Sequence, residues 1–285
     1  MKLGVLPWRF GRGGLARWTR RLDQHVAQAA WAGAQMLVMP EYAALEPALG
    51  DTPDLEAELA RALDGADATL DAMRTIATRH KVWLLPGTLP FRHGDRIINR
   101  APLLAPDGRV AFQDKHVMTR FEAEQWGVSP GAPPQVFDTD FGRIGIAICF
   151  DAEFPSLVRA QIEAGAWLIL VPTCTDTAHG FNRVRIAARA RAMENQCFVA
   201  VAPTVGTAPW CGALDANTGA AGIYGPVDRG FPANGILAEG ATDAAEWIFA
   251  DLDPAALAAV RTDGAVRNHL AWPAPPPPCP VASFA

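Results

Sequence analysis

Short apolar runs alternate with stretches of helical spacing in the first third of the chain. The runs predict strands at residues 2–7, 36–39 and 82–85. In the stretches between them, apolar residues recur every three or four positions, which predicts helices at residues 18–34 and 55–80. Alternating strands and helices are typical of α/β proteins, so we predict that class, with a β–α–β–α–β beginning.

Pairs of apolar runs flank turn-forming tripeptides in the middle of the chain. The pairs are residues 97–105 with 110–115 and residues 136–140 with 144–149. Each pair predicts a β-hairpin, because Pro106-Asp107-Gly108 and Phe141-Gly142-Arg143 contain residues that turns favour. Further on we predict helices at 156–164 and 182–195, strands at 167–171, 198–202 and 247–251, and an irregular stretch at 203–235.

Composition and charge narrow the class of protein. Half of the 285 residues are hydrophobic and 19% are charged, which is enough apolar material for one extensive core. We predict one domain over residues 1–271 and a Pro-rich tail over residues 272–285, where Pro275–Pro278 stand in a row. The net charge of -5 argues against a general affinity for nucleic acid, so a small-molecule partner is expected.

Membrane and metal signals are weak in this sequence. No apolar run approaches the ~18 residues that span a bilayer, and the first residues lack the apolar core of a signal peptide. We therefore expect a cytoplasmic protein with no membrane partner. The five cysteines form no CxxC pair and no zinc-type spacing with histidines, so we expect reduced thiols and no metal: Cys149, Cys174, Cys197, Cys211 and Cys279.

Cys149 stands out among these cysteines because of its place in the chain. A fully apolar run, residues 144–148, leads directly into it, and polar residues and a predicted helix follow. In α/β proteins functional groups gather at the carboxyl ends of strands, and a nucleophile on a sharp strand-to-helix turn lies near backbone N–H groups. We predict Cys149 as a nucleophile and the Phe150 N–H as an oxyanion donor.

Two charged residues stand at comparable places. Glu41 directly follows the apolar run 36–40, and Lys115 directly follows the run 110–114. A cysteine thiol has a pKa of ~8.5 and is mostly protonated at neutral pH. A carboxylate can accept its proton, and an ammonium group can stabilise the thiolate and the oxyanion. The sequence therefore predicts Glu41 as the base and Lys115 as the cation.

The chain resembles the nitrilase, or carbon-nitrogen hydrolase, superfamily, which has a Glu–Lys–Cys triad in this order. The motifs that carry the resemblance lie at residues 39–41, 114–122, 149–155, 170–176 and 185–196. The resemblance covers roughly residues 2–253. The superfamily has a second active-site glutamate after the lysine. Glu122 falls where that residue usually lies, and Glu124 is the alternative.

The resemblance implies an α-β-β-α four-layer sandwich, commonly assembled into a homodimer through its helical layer or into a higher homo-oligomer, and a reaction that needs no metal or cofactor. It implies that a small linear amide, or a nitrile, is cleaved through a cysteine thioester to ammonia or an amine and a carboxylic acid. Among the candidate substrate contacts are Thr175, at the start of a loop after a strand, and the aromatic Phe154.

Two other functions share these motifs. A soluble acyltransferase would pass the acyl group of the thioester to an amine; the membrane-bound branch of such enzymes is disfavoured, since the chain has no predicted spanning helix. A silent binding or assembly protein would keep the fold without the chemistry. That alternative is disfavoured because Glu41, Lys115 and Cys149 are all present.

Overall fold

Two large mixed β-sheets, one two-stranded sheet of β11 and β12, and seven α-helices make up the computed structural model, which describes residues 1–274, 279 and 281. The strands are β1 Lys2–Val5, β2 Met36–Val38, β3 Trp83–Leu85, β4 Leu89–His93, β5 Arg96–Leu104, β6 Val110–Asp114, β7 Val136–Thr139, β8 Gly142–Ile146, β9 Leu168–Thr173, β10 Phe198–Pro203, β11 Gly206–Thr207, β12 Ala216–Asn217, β13 Gly222–Tyr224, β14 Ile236–Glu239 and β15 Ile248–Asp251. The helices are α1 Gly14–Trp31, α2 Leu55–Asp64, α3 Ala66–His80, α4 Arg120–Glu124, α5 Pro155–Glu163, α6 Ala178–Asn195 and α7 Pro254–Asp263. Two 3₁₀ helices lie at Ala43–Ala48 and Cys149–Glu153.

Each large sheet has a parallel centre with antiparallel strands outside it. The first sheet has the order β15-β1-β2-β3-β5-β4, and β6 also pairs with β5. The second has the order β14-β13-β10-β9-β8-β7. Strands β1, β2 and β3 are parallel in the first sheet, as are β8, β9 and β10 in the second. Parallel strands end at one edge of a sheet, so the loops that follow them converge there.

The two faces of the first sheet are both buried, and they pack against different layers. Met36 and Val38 pack with the second sheet, whereas Leu37 between them packs with α1 and α3. Helices α5 and α6 pack on the other face of the second sheet, through side chains such as Val158 and Val184. The order of layers is therefore helix, sheet, sheet, helix, which confirms the predicted α-β-β-α sandwich.

The structure corrects the single helix predicted over residues 55–80. Gly65 separates α2 from α3 as the C-cap of α2, and its N–H donates the last helical hydrogen bond, to the Arg61 carbonyl. Glycine is a poor helix former, and the break lets α3 turn so that Met73 and Ile76 are buried. Strands β4 and β14 and helices α4 and α7 were not predicted, because their segments carry little periodicity. Strands β11, β12 and β13 lie in the stretch 203–235 that was predicted to be irregular, so that prediction was wrong for these short segments.

The C-terminal segment is described only in part. Trp272 lies against the guanidinium of Arg159, which is 4.5 Å from the centre of the indole ring. Pro275–Pro278 lie outside the described residues, and the division into a domain of residues 1–271 and a tail stays a prediction. None of the helices in the described part of the chain is long and apolar enough to cross a membrane.

Gly87 allows a close approach beside the Glu41 loop, and its replacement tests that packing. Its φ is 106°, and an added Cβ would lie 2.3 Å from the Pro40 carbonyl oxygen. We expect Gly87→Ala to lower the free energy of unfolding by about 2–5 kcal/mol, from backbone strain and overlap together. Gly33 is the matched control: its φ is 82° with nothing within 4 Å of the added Cβ. Gly33→Ala should cost only about 1–2 kcal/mol, and equal losses in urea unfolding would contradict the account.

Candidate active site

Glu41, Lys115 and Cys149 meet at the ends of three strands. Glu41 follows β2, Lys115 follows β6, and Cys149 follows β8. The Lys115 N–H donates to the carbonyl of Asn99 at 2.8 Å, so hydrogen bonding between β5 and β6 continues to the lysine. All three side chains lie on one cavity of about 860 Å³, and Glu122 lines it with them.

Cys149 sits on a sharp turn between β8 and a 3₁₀ helix. Its φ is 49°, which is unusual for a residue with a side chain and marks stored backbone strain. The Thr173 hydroxyl donates to the Cys149 Sγ at 3.2 Å. Phe150 is the second residue of the 3₁₀ helix, where its N–H has no preceding helical carbonyl to bind. That N–H is therefore available to an oxyanion.

A buried carboxylate ties the cysteine turn to the lysine loop. Asp151 accepts hydrogen bonds from the backbone N–H groups of His116 at 3.0 Å and Val117 at 2.8 Å. These residues directly follow Lys115, so the two hydrogen bonds fix the lysine loop relative to the cysteine turn.

Lys115 bridges two buried carboxylates. Its Nζ is 2.8 Å from Glu41 Oε1 and 2.6 Å from Glu122 Oε2. Burial alone would lower the pKa of Lys115, but attraction to the two carboxylates raises it well above its usual value. Lys115 therefore stays positively charged. With both glutamates ionised, these three groups carry a net charge of −1 out of contact with solvent.

The two carboxylates differ in the hydrogen bonds that they accept. Beyond Lys115, the donors to Glu122 are the Tyr42 hydroxyl at 2.6 Å, Asn99 Nδ2 at 3.2 Å, and the hydroxyl and N–H of Thr119 at 2.8 and 3.0 Å. The donors to Glu41 are Asn99 Nδ2 at 2.9 Å and the Cys174 N–H at 3.1 Å. Glu122 thus accepts more hydrogen bonds from the protein than Glu41 does.

The pKa values of the two glutamates follow this difference. Burial raises the pKa of Glu41 to about 7, with the nearby Lys115 opposing the rise. Burial would also raise the pKa of Glu122, but Lys115 and the hydrogen bonds outweigh it and lower that pKa below its usual value. Two carboxylates held at different pKa values can take different roles. Glu41 can exchange a proton near neutral pH, while Glu122 stays ionised.

The Cys149 thiol is protonated in the resting site. Burial and the negative charge of Glu41 raise its pKa above the ordinary value of a thiol, more than Lys115 lowers it. A thiol in this state becomes a nucleophile only if a base takes its proton during the attack. Glu41 is a group of suitable pKa beside it.

The remaining predicted residues lie at different distances from the cavity. Thr175 lines it, and its hydroxyl donates to the Thr218 carbonyl at 2.9 Å. Phe154 packs edge-on against Phe150, with ring centres 4.9 Å apart, outside the cavity lining formed by the described residues. Glu124 lies on the surface in a salt bridge with Arg120 at 2.8 Å, outside that lining. The structure thus brings Glu122, and not Glu124, to Lys115.

Tyr42 and Asn99 are site residues that the sequence reasoning missed. Tyr42 directly follows Glu41, and its hydroxyl contacts Glu122. Asn99 is buried in β5, but Arg100 comes directly after it, so no uninterrupted apolar run singled it out. Thr119 and Glu122 form a capping box at the start of α4, which the T-x-x-E sequence also signals. No cluster of three or more potential metal-ligating side chains occurs within residues 1–274.

A cysteine thiol, a titratable carboxylate and a fixed ammonium group on one cavity are typical of enzymes that use a covalent acyl intermediate. The chain belongs to the carbon-nitrogen hydrolase family, whose model matches residues 15–262. It is 36% identical over 193 residues to a probable hydrolase, YhcX, from Bacillus subtilis; the match covers 68% of this chain and 38% of the Bacillus protein. It is 29% identical to the chloroplastic omega-amidase of Arabidopsis thaliana, over 61% of this chain and 49% of that protein. The matches thus span less than half of each of these two relatives.

Solved structures give the same assignment of fold. An amidase from Nesterenkonia sp. AN1, with acrylamide added at its active-site cysteine, superimposes with a TM-score of 0.72 at 26% identity. The match covers 92% of this chain and 97% of that one. Nit3 of Saccharomyces cerevisiae, a member of the nitrilase superfamily, superimposes with a TM-score of 0.74 at 20% identity and covers 92% of this chain and 93% of its own. The protein therefore has the nitrilase-superfamily fold.

Proposed function

We propose that this protein hydrolyses a linear, non-peptide amide C–N bond of a small molecule, with Cys149 as the nucleophile. The observation that carries the proposal is the placement of Cys149, Glu41 and Lys115 on one cavity, with a protonated thiol beside a base of pKa about 7. The Nesterenkonia amidase has a structure in complex with butyramide, which supports an amide as the substrate class. The products are ammonia or an amine and a carboxylic acid.

The first half of the reaction forms a thioester. Glu41 takes the Cys149 proton as Sγ attacks the carbonyl carbon of the amide. Lys115 Nζ and the Phe150 N–H stabilise the oxyanion. When the tetrahedral intermediate collapses, the C–N bond breaks, the protonated Glu41 gives its proton to the leaving nitrogen, and the acyl group remains on sulfur.

The second half hydrolyses this thioester. Glu41, ionised again, takes a proton from a water molecule that attacks the acyl carbon. The C–S bond breaks, Glu41 returns the proton to sulfur, and the carboxylic acid leaves. Glu122 stays ionised, holds Lys115 in place and helps to position the water.

The pH dependence of the reaction follows from the pKa of Glu41. As the pH falls through about 7, Glu41 becomes protonated and can no longer act as the base. We expect kcat/KM to fall about tenfold for each pH unit below that midpoint. A pH–rate profile measured between pH 5 and 9 checks this, and a profile that stays flat down to pH 5 would exclude a base of this pKa.

The proposed function is tested with a panel of small linear amides and nitriles, by following ammonia release. Amide hydrolysis predicts release with at least one neutral amide such as butyramide. Hydroxylamine added to the same reactions separates the acyltransferase alternative, because a transferase forms the hydroxamate at the expense of the acid. Absence of ammonia, hydroxamate and acyl adduct across the panel would favour a silent binding protein instead.

We also propose that the protein is a homodimer, as the resemblance implies. The outer face of α6 carries two exposed apolar side chains, Ile186 and Met193, and Leu270 in the segment that follows α7 is exposed as well. Exposed apolar side chains on one helix favour a protein interface. Sedimentation equilibrium measures the assembly state directly. The cytoplasmic location stays a prediction.

A further inference from the structure

Asn99 contacts both glutamates from the first sheet. It lies on β5 and is fully buried. Its Nδ2 donates to Glu41 Oε1 at 2.9 Å and to Glu122 Oε1 at 3.2 Å, so each hydrogen of one amide group reaches a different carboxylate. Lys115 makes the same two contacts with its ammonium group. Asn99 and Lys115 therefore bridge the same pair of carboxylates.

The orientation of the Asn99 amide follows from its partners. A carboxylate oxygen only accepts hydrogen bonds, so the NH₂ group must face the two glutamates and the oxygen must face away. The Oδ1 atom has no hydrogen-bond partner among the described residues, although it is buried. An unsatisfied buried acceptor costs free energy. A residue that only completed the core would not need a polar group here, which indicates that the two contacts to Glu41 and Glu122 are the reason for an asparagine.

We propose that Asn99 is a positioning residue that holds Glu41 and Glu122 in fixed orientations around Lys115 and keeps Glu41 available as the base. Without its NH₂ group, Glu41 keeps Lys115 and the Cys174 N–H as nitrogen donors, with the Cys149 thiol beside it. The negative charge of Glu122, the burial and the neighbouring thiols would then act on a less stabilised carboxylate. Glu41 would hold its proton to a higher pH, and the thiol would lose its base at neutral pH.

Five titratable groups surround Glu41. Those that influence it come from the loops after β2, β6, β8 and β9 and from α4; they are Tyr42, Lys115, Cys149, Cys174 and Glu122. Lys115 stays charged, the two thiols and the phenol have raised pKa values, and Glu122 has a lowered one. Glu41 is thus the group of this set whose pKa lies near neutrality.

The test measures the alkylation of Cys149 by iodoacetamide against pH, on the peptide that carries Cys149, so that exposed Cys279 does not interfere. In this reaction Sγ displaces iodide, an S–C bond forms, and the thiol proton passes to Glu41. The role of Asn99 serves the proposed hydrolysis and rests on it, but this readout needs no turnover. Failure of the hydrolysis proposal in the amide panel is therefore distinguishable from failure of this one.

In the wild-type protein we expect the alkylation rate to rise with pH through a midpoint near 7. In Asn99→Ala the midpoint should move up by about one to two pH units, because that is the pKa change that one hydrogen bond to a charged group supports. The rate at pH 7 should fall about 5- to 50-fold for the same reason, and above pH 9 it should return to within about threefold of wild type. Asn99→Leu, which fills the space of the amide, provides the same measurement if the alanine variant does not fold.

Gln113 provides the matched control. It is a buried amide on the adjacent strand β6, and its side chain contacts only backbone groups, the carbonyl of Asp114 and the N–H of Gln135. Gln113→Ala should lower the melting temperature and leave the alkylation midpoint near 7. A folded Asn99 variant with the wild-type midpoint would overturn the proposal, since a purely structural asparagine would behave as Gln113 does.

Discussion

Cys149→Ala abolishes amide turnover and leaves the fold intact: this is the largest effect on activity that we expect. The variant loses the sulfur that forms the thioester, so kcat/KM should fall by about 10⁴-fold or more. The removed group is small and has two weak polar contacts, with the Thr173 hydroxyl and with the Cys174 carbonyl. Ammonia release and thermal unfolding, measured on the same preparation, check both parts of the prediction.

Cys174 is the control for this substitution, because it is a second thiol on the same cavity. Its contact with Glu41 comes from the backbone N–H, which Cys174→Ala retains. Cys174→Ala should therefore keep kcat/KM within about tenfold of wild type, since no step of the proposed reaction uses its sulfur. A Cys149→Ala protein that turns over substrate at the wild-type rate would overturn the assignment of the nucleophile.

Lys115→Met is expected to have the largest effect on stability. The substitution keeps an unbranched side chain that is one heavy atom shorter, and it leaves Glu41 and Glu122 buried without their cation. Removing one partner of a buried ion pair costs about 3–5 kcal/mol, so the free energy of unfolding should fall by at least that amount. Activity should fall by about 10²–10³-fold or more, because an oxyanion donor is lost as well. Urea unfolding and ammonia release measure the two effects.

The double variant Lys115→Met/Glu122→Gln separates charge from packing. Replacing Glu122 with glutamine removes one of the two buried negative charges that Lys115→Met leaves unpaired. The double variant should regain part of the lost stability while its activity stays low, since the oxyanion donor is still missing. If Lys115→Met alone unfolds at the urea concentration of wild type, the buried ion cluster has no stabilising role, and the account of the site is wrong.

The sequence predicted those site residues that come directly after a strand. Glu41, Lys115 and Cys149 each come at or just past the end of an apolar run, and the ends of such strands meet at one edge of the sandwich. The order of sheets and helices, by contrast, came from the family resemblance. Strand pairing joins residues far apart in the chain, and no local pattern specifies which strands become neighbours.

Contacts that depend on strand pairing could not be predicted. Asn99 reaches Glu41 across 58 residues of sequence, and the pairing of β2 with β3 and of β3 with β5 brings them together. The choice between Glu122 and Glu124 was open for a related reason. Side chains two residues apart on a helix point about 160° apart, so only one of the two can face the lysine. The sequence does not show which side of α4 faces inward.

The most direct test of the central claim is a search for the acyl-enzyme. The protein is mixed with an amide that it hydrolyses, quenched in acid within the first turnover, and analysed by mass spectrometry of the intact chain and of its peptides. We expect a mass increase equal to the acyl group, located on the peptide that carries Cys149 and absent from Cys149→Ala. Ammonia release by the wild-type protein with no acyl group on Cys149 at any time point would contradict this expectation.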